Sequence, residues 1–423
     1  MKVLVLGSGA RESAIAQKVA ESKLLTQLFI SPGNPGMEEY GETIDLKGDF
    51  QKIKDFVLTN SIEMVIVGPE QFLVDGIWDF FNNDKDLSHV LVVGPSAKGA
   101  KLEGSKDFAK EFMIRNNIPT AKYKTFYKES IEEGKAFLTT LNPPYVLKAD
   151  GLAAGKGVLI LDDLNSAQRE LEDMLGGEKF GNASKKVVIE EYLDGIECSV
   201  FVLTDGDNYK ILPIAKDYKR IGEGDIGLNT GGMGSVSPVP FADEEFISKV
   251  EKRIIIPTVL GLKKEEIPYQ GFIFIGLMKV GDEPYVIEYN VRMGDPETET
   301  VFPRIKSDIL ETIICLKDKS LNKTELVIDN RFATCVMLVA EGYPGDYIKG
   351  DIIDISKEIE DGFVFHAGTK RDNDNNLITS GGRVIAVTCF GNTLQEALDK
   401  TYSNINNIDF KGKYYRKDIG KDL

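Results

Sequence analysis

Four short runs in the first hundred residues, apolar but for Ser31, are each cut off by glycine or proline, and they constrain the chain more than any other feature. Val3–Leu6 ends at Gly7, Leu28–Ser31 at Pro32, Met64–Val67 at Gly68-Pro69, and Val90–Val93 at Gly94-Pro95. A run of four apolar residues without alternation is what a parallel strand covered on both faces requires. Helical stretches lie between the runs, the first over about Arg11–Lys23. The pattern predicts an open, doubly wound α/β unit with polar loops at the strand ends, where such sheets bind ligands.

From Tyr145 onward strands dominate. They are expected over Tyr145–Asp150, Gly157–Leu161, Lys186–Glu191, Cys198–Leu203 and Tyr209–Ile214. A helix is expected over Ser166–Leu175 behind caps at Asn165 and Ser166. Gly271–Val280 and Pro284–Val291 read as a hairpin closed around Gly281-Asp282. The polar stretch Lys317–Glu325 reads as a boundary. Beyond it come strands over Ala333–Ala340 and Arg383–Cys389, and a helix whose Thr393 and Glu396 have capping-box spacing.

At ~150 residues per domain, 423 residues suggest about three domains. With 51 basic and 67 acidic residues the net charge is −16, which disfavours nucleic acid and anionic membrane as partners. The longest apolar run, near Phe272–Met278, is far short of the ~20 residues of a membrane span, and the first apolar run is too short for a signal peptide. A cytoplasmic location is expected. Cys198, Cys315, Cys335 and Cys389 make no C-x-x-C pair, and His89 and His366 are the only histidines. The chemistry therefore falls to carboxylates, lysines, backbone amides and a hard cation.

Lys148-Ala149-Asp150-Gly151-Leu152-Ala153-Ala154-Gly155-Lys156-Gly157-Val158 is the most informative stretch. It is not a Walker A loop, because no Ser or Thr follows Lys156 and a strand follows where a helix is required. It reads as strand, glycine loop, strand, a form that lets backbone N–H groups fold over polyphosphate. Lys148, inside an otherwise apolar strand, is placed to touch phosphate. Val188–Leu193, with Glu190 and Glu191, followed by Glu197, offers a strand edge for adenine and carboxylates for ribose hydroxyls. Glu288, Asn290 and Arg292 alternate with Ile287, Tyr289 and Val291, so period two puts the polar three on one face. Two oxygen ligands plus substrate phosphate is a usual way to hold Mg²⁺, and Arg292 is placed to neutralise a phosphoryl group in transfer.

Two further segments carry open alternatives. Gly7-Ser8-Gly9-Ala10-Arg11-Glu12 resembles a dinucleotide fingerprint without its third glycine, and serves either an anion at a helix N-terminus or a tight turn needed for packing. Lys216-Asp217-Tyr218-Lys219-Arg220 with Leu228-Asn229-Thr230-Gly231-Gly232-Met233-Gly234 is either a site for an anionic substrate or a surface loop.

The glycine hairpin loop, the adenine-edge strand and the Glu-x-Asn-x-Arg strand, in that order, resemble the ATP-grasp superfamily. Within it the chain resembles the phosphoribosylamine–glycine ligase (glycinamide ribonucleotide synthetase) family. The likeness runs in collinear order through Gly33–Gly36, Val67–Glu70, Leu102–Lys106, Lys148–Val158, Asn229–Gly234, Glu288–Glu297, Phe365–Thr369 and Arg416–Gly420.

The resemblance implies an N-terminal Rossmann-like domain over 1–101, an ATP-grasp domain over 102–322 with a lid at about 122–185, and a β-rich α+β domain over 323–423. It implies that ATP phosphorylates glycine to glycyl phosphate, which the amine of 5-phosphoribosylamine attacks to give glycinamide ribonucleotide, ADP and phosphate in purine synthesis. It implies Mg²⁺ or Mn²⁺ on Glu288 and Asn290, and ATP held by Lys106, Lys148, Gly151, Gly155, Lys156, Gly157, Glu190, Glu191, Leu193 and Glu197. Arg292 and Lys219 are implied as catalytic. Gly9, Arg11, Asp217, Arg220, Asn229, Thr230, Gly231, Gly232 and Asp295 are implied to bind substrate. A monofunctional protein, monomeric or weakly dimeric, is expected. The chain departs from the family at Ser13 and Tyr218, where histidine is usual, and at Leu228, where many members have proline. Two alternatives are another ATP-grasp ligase, such as a biotin-dependent carboxylase or peptide ligase, and a nucleotide-sensing paralogue. The C-terminal segments and Asp295-Pro296-Glu297 speak against the first, and the presence of Glu288 and Asn290 against the second.

Overall fold

The computed structural model describes residues 1–152, 157–177, 179, 181–357 and 359–423. The four apolar runs form the strands Lys2–Gly7, Gln27–Pro32, Met64–Val67 and Leu91–Pro95, paired in parallel. Val3, Val5 and Ile66 face one side of this sheet and Leu4, Leu6 and Val65 the other, and all are buried. The strands end in line: Val5 pairs with Ile30 and Ile66, and Ile66 with Val93. Gly7, Pro32, Gly68 and Pro95 therefore crowd one rim of the sheet. The first helix, Ala10–Ala20, starts from that rim at Gly9.

The sheet does not stop at its fourth long strand. Tyr269 and Gln270 pair with Pro95 and Gly94 and carry it into an antiparallel half built from Ile196–Thr204, Tyr209–Ile211, Tyr269–Val280 and Glu283–Asn290. The strand expected over Tyr209–Ile214 ends at Ile211, because Pro213 has no N–H to continue the ladder. The hairpin partner Glu283–Asn290 carries a β-bulge: Gly276 pairs with Glu288 but the next residue, Leu277, pairs with Val286. Ile287 is the extra residue, so it leaves the core face assigned to it by strict alternation. Pro284 and Val286 are buried before the bulge, Tyr289 and Val291 after it.

A separate four-stranded sheet, Tyr123–Tyr127, Lys186–Glu190, Tyr145–Ala149 and Val158–Leu161 in spatial order, sits over the antiparallel half. Helices Ile131–Leu138 and Leu164–Leu175 close its far face around Phe126, Leu147, Leu171 and Met174. The second helix is capped by Asp163, whose carboxylate accepts from Ser166 N at 2.7 Å, not by the expected Asn165 or Ser166. Asp163 takes the role because its extended backbone aims the carboxylate at the free N–H groups of the first turn.

A third, five-stranded sheet joins distant parts of the chain. Lys216–Asp217 and Gly234–Ser237 pair onto Phe332–Val339, Arg383–Gly391 and Gly362–His366. Helix Leu394–Ile405 covers it, capped by Thr393, whose hydroxyl accepts from Glu396 N at 3.1 Å. The polar stretch Lys317–Glu325 contains a short turn, Leu321–Lys323, whose Leu321 is buried in the same core as Val3 and Ile30. No described helix is long and apolar enough to cross a membrane.

Candidate active site

The cleft between the four-stranded sheet and the antiparallel half collects the residues singled out for nucleotide. Tyr145–Ala149 is buried along its whole length, so Lys148 projects into the interior. Its Nζ lies 2.9 Å from Glu190 Oε2 and donates to the Ile287 carbonyl at 3.4 Å, the carbonyl that the bulge exposes. Lys110 reaches the same Glu190 oxygen at 3.1 Å and donates to Thr120 Oγ1 at 2.7 Å. Burial would raise the Glu190 carboxyl, but Lys148 and Lys110 outweigh it and hold the group below its ordinary value. Burial pushes Lys110 down to about 8 against the pull of Glu190. Glu190 thus serves two lysines, and its other oxygen meets no donor among the described residues.

The loop after Lys148 is tied at its start. Asp150 accepts from Ser105 Oγ at 3.0 Å and from Asp107 N at 2.8 Å, while Lys106 Nζ donates to Gly151 O at 3.2 Å. Lys106 thus faces the loop from the N-terminus of helix Lys106–Arg115. Burial lowers its ammonium group, with Glu288 opposing and Lys148 assisting. Gly157 closes the loop by accepting from Ala149 N at 2.8 Å. Gly155 and Lys156 lie outside the described residues. Glu191 turns outward and accepts from Lys122 N at 2.9 Å. Leu193 is half-buried beyond it. Glu197 forms an ion pair with Lys219.

Glu288 and Asn290 share a face, as alternation required. Opposite Glu288 stands Gly276, where a Cβ would come within 3.2 Å of Glu288 Cγ, so the absent side chain leaves room for the carboxylate. Burial alone would raise Glu288; Lys219, Lys148, Lys106 and Arg292 overcome it and keep the carboxyl below its ordinary value. Four cations from four separate segments thus converge on one acid. A half-buried carboxylate kept ionised on the same face as an amide oxygen is a donor pair that suits a hard cation.

Arg292 lies just past the strand. It donates to Asn290 Oδ1 at 3.2 Å, to Met293 O at 3.1 Å and to Glu103 Oε1 at 2.7 Å, and its Nε is 3.5 Å from Glu70. Glu103 also accepts from Val291 N at 2.8 Å, which locks the strand end. Lys219 is paired with Glu197 and lies 3.9 Å from Asp217. Burial, opposed by Lys219 and reinforced by Glu297, Glu197 and Glu288, pushes the Asp217 carboxyl up to about 8. Burial also works against the Lys219 charge, yet Asp217, Glu197 and Glu288 hold its ammonium well above the ordinary range.

The rim of the parallel sheet closes the cleft on its other side. Gly9 N donates to Glu12 Oε2 at 2.7 Å, and Arg11 Nε to Glu12 Oε1 at 2.6 Å. Arg11 is buried and reaches Met293 O at 3.3 Å. Asp295 faces Gly9, where a Cβ would stand 3.4 Å from its carboxylate, and pairs with Arg383 at 2.9 Å. Thr230 accepts from Gly232 N at 2.9 Å, and Gly232 has φ +115°, with Pro296 so close that no side chain fits. The Gly231 peptide is gripped from both sides: Arg383 donates to its carbonyl at 2.6 Å, and its N–H donates to Tyr343 Oη at 2.9 Å. Arg220 is drawn off toward its own hairpin, donating to Gly227 O at 2.8 Å, and Asn229 pairs with it in register. Of the departures noted above, Tyr218 points away into the C-terminal core, its hydroxyl donating to Asp422 at 2.5 Å, and Leu228 is 65% exposed. Ser13 donates to His366 O at 2.7 Å, beside Asn34.

Models of phosphoribosylglycinamide synthetase match the chain in three consecutive pieces: the N domain over 1–103, the ATP-grasp (A) domain over 104–298 and the C domain over 333–422. The chain belongs to the phosphoribosylglycinamide synthetase family. It is 43% identical to the phosphoribosylamine–glycine ligase of Escherichia coli O157:H7, covering 99% of this chain and 98% of that one. It is 42% identical to a bifunctional purine biosynthetic protein of Pichia angusta, matched over 99% of this chain but only 53% of the relative's length. The solved phosphoribosylamine–glycine ligase of Thermotoga maritima superposes with a TM-score of 0.86 at 36% identity, over 99% of this chain and 100% of that one. The biotin carboxylase domain of Hydrogenobacter thermophilus 2-oxoglutarate carboxylase shares the fold, with a TM-score of 0.73 at 19% identity over 98% and 91% of the two chains. As a member of this family the chain is an ATP-grasp ligase.

Several residues at the phosphoribosylglycinamide synthetase site escaped the residue-by-residue reading. Glu70 and Glu103 hold Arg292, Lys110 shares Glu190, and Arg383 holds Asp295 and Gly231. Glu70 and Glu103 fall inside segments that carried the family likeness, which was their only signal. Lys110 and Arg383 had none, because their partners lie 80 and 88 residues away in the chain.

Proposed function

We propose that the chain joins glycine to 5-phosphoribosylamine as a step of purine biosynthesis: ATP transfers its γ-phosphoryl group to the glycine carboxylate, leaving ADP, and the amine then displaces phosphate from the glycyl phosphate. The observation that carries this reading is the convergence of Lys106, Lys148, Lys219 and Arg292 on the ionised Glu288. Such a cluster suits triphosphate and a hard cation, and no general base is needed. Glu288 and Asn290 would hold Mg²⁺ or Mn²⁺. Among the described residues no group of three His, Cys, Asp or Glu side chains could hold an ion unaided, so phosphate and water complete its shell. The ion would neutralise charge on the transferring phosphoryl group.

The chain's own residues do the rest. Lys148 and Lys106 draw the phosphates, with Gly151, Gly155, Lys156 and Gly157 as the covering loop. Glu190 keeps Lys148 in place; Glu191 and Leu193 offer backbone to adenine and Glu197 a carboxylate to ribose. Arg292 meets the phosphoryl group as negative charge develops, and Lys219 adds a second positive charge acting on Glu288. Gly9, Arg11, Asp217, Asn229, Thr230, Gly231, Gly232 and Asp295 receive glycine and the amine, and Arg220 joins them only by leaving Gly227 O. In this reading the segment 122–185 is a lid on an ATP-grasp unit 102–322, between an N-terminal unit 1–101 and a C-terminal unit 323–423. Closure excludes water from the acyl phosphate. The protein acts in the cytoplasm on small molecules, as a monomer or weak dimer.

The test is ADP release with glycine and freshly generated phosphoribosylamine, each omitted in turn. Full turnover should require both. Turnover that is indifferent to either one removes the proposed reaction.

A further inference from the structure

Beneath the rim, two carboxyl groups lie together with too few donors. Glu299 sits on the short helical turn Thr298–Val301, packed between the first helix and the strands Gly234–Ser237 and Phe332–Val339. It is fully buried, and neither of its oxygens meets a donor among the described residues. Its neighbour Asp295 gives Oδ2 to Arg383 at 2.9 Å, but Oδ1 is buried with no donor either. The two carboxyls face each other within hydrogen-bond reach. If both were ionised, two negative charges would adjoin in the interior with Arg383 the one guanidinium acting on both, and three oxygens would go unsatisfied. One proton removes the conflict.

We propose that Glu299 works as a neutral carboxylic acid that donates its proton to Asp295 Oδ1, and so positions the Asp295 carboxylate at the substrate pocket. The inference rests on the reading that Asp295 faces the amine substrate. Glu299 touches no substrate and acts through its neighbour. Asp295 is held at both oxygens, by Arg383 on one and Glu299 on the other. Because Arg383 also grips the Gly231 carbonyl, this one arrangement sets the distance between the Asp295 turn and the glycine loop 229–234.

The charged and titratable groups around Glu299 agree with this state. Burial raises its carboxyl well above the ordinary range, Asp295 adds to the shift, and Arg383 opposes it. From strand Phe332–Val339 it meets Cys335, whose thiol burial also drives up, with Glu299 assisting. Arg11 from the first helix acts on Asp295. Glu297, on the same turn, is engaged by Ser199 at 3.0 Å.

Three measurements decide the matter. Glu299→Gln keeps the shape and an N–H donor, so its KM for phosphoribosylamine should stay within about twofold of the parent. Glu299→Leu removes the donor, and should raise that KM about tenfold or more while the KM for MgATP moves less than about twofold. In the parent, KM for phosphoribosylamine should rise at alkaline pH as Glu299 loses its proton, and Glu299→Gln should abolish that rise. If Glu299→Leu fails to fold, infrared difference spectroscopy of the intact protein replaces it. The parent should show the carbonyl stretch of a protonated carboxylic acid at neutral pH, absent from Glu299→Gln. Equal loss in the Gln and Leu variants, an unchanged alkaline limb in Glu299→Gln, or a missing infrared band would overturn the proposal. The infrared band does not depend on turnover, so it separates failure of this inference from failure of the proposed reaction.

Discussion

Replacing Glu103 by alanine isolates what holds Arg292, the arginine proposed to meet the phosphoryl group. Glu103 accepts from Arg292 at 2.7 Å with one oxygen and from Val291 N at 2.8 Å with the other. The alanine variant removes a charge-assisted hydrogen bond worth about 1.5–3 kcal/mol, and strands a buried N–H at a cost of about 1–3 kcal/mol. Arg292 would keep Asn290, Met293 O and the longer contact to Glu70. The guanidinium thus stays in the site but loses its aim. If the first loss falls on the transition state, kcat should drop about 10- to 150-fold, at 1.36 kcal/mol per tenfold. Glu103→Gln separates the two effects, since its amide oxygen still receives Val291 N while the charge is gone. It should fold as well as the parent and lose kcat by about tenfold. The assay is ADP release at saturating glycine with freshly generated phosphoribosylamine, alongside the KM for ATP, which should change little. Glu103→Ala turning over within about twofold of the parent, while Arg292→Ala is inactive, would refute the reasoning.

Glu288→Gln should keep the fold and lose most turnover, because the anionic ligand of the proposed cation is gone; parental turnover at limiting Mg²⁺ would remove Glu288 from the site. Lys110 sheds its proton near pH 8 in the folded chain but near 10.5 unfolded, so between those values the unfolded state binds more protons and stability rises with pH. Thermal unfolding should show the parent gaining on Lys110→Met across that window, and parallel curves would contradict the buried Lys110–Glu190 pair. Amide exchange over 151–157 should slow when MgATP binds, and equal exchange with and without nucleotide would count against the lid.

What the sequence could and could not tell follows from physical range. Local patterns carried the N-terminal strands, since four apolar residues ended by Gly or Pro leave little choice. Alternation carried Glu288 and Asn290 to one face, and Lys148 stood out because a lysine in an apolar strand needs a partner. The bulge at Ile287 was not legible, because it depends on how two strands pair and not on either alone. Its consequence is functional: the exposed Ile287 carbonyl is where Lys148 docks. The cap at Asp163 was missed by two residues, the usual failing where several polar residues compete at a helix start. Arg220 joined a basic run in the sequence, yet its hairpin turns it onto Gly227 O. Glu103, Arg383 and Glu299 are charged residues in segments of no evident period. What gives them a role is burial against partners brought in by the tertiary fold.

The central claim is that glycine is activated as an acyl phosphate before the amine attacks. Glycine carrying ¹⁸O in its carboxylate tests this directly. One labelled oxygen should appear in the released inorganic phosphate for each turnover with phosphoribosylamine, because the glycine oxygen that attacks the γ-phosphorus leaves with it. Phosphate free of that label, from a preparation that makes product at its normal rate, would contradict the account.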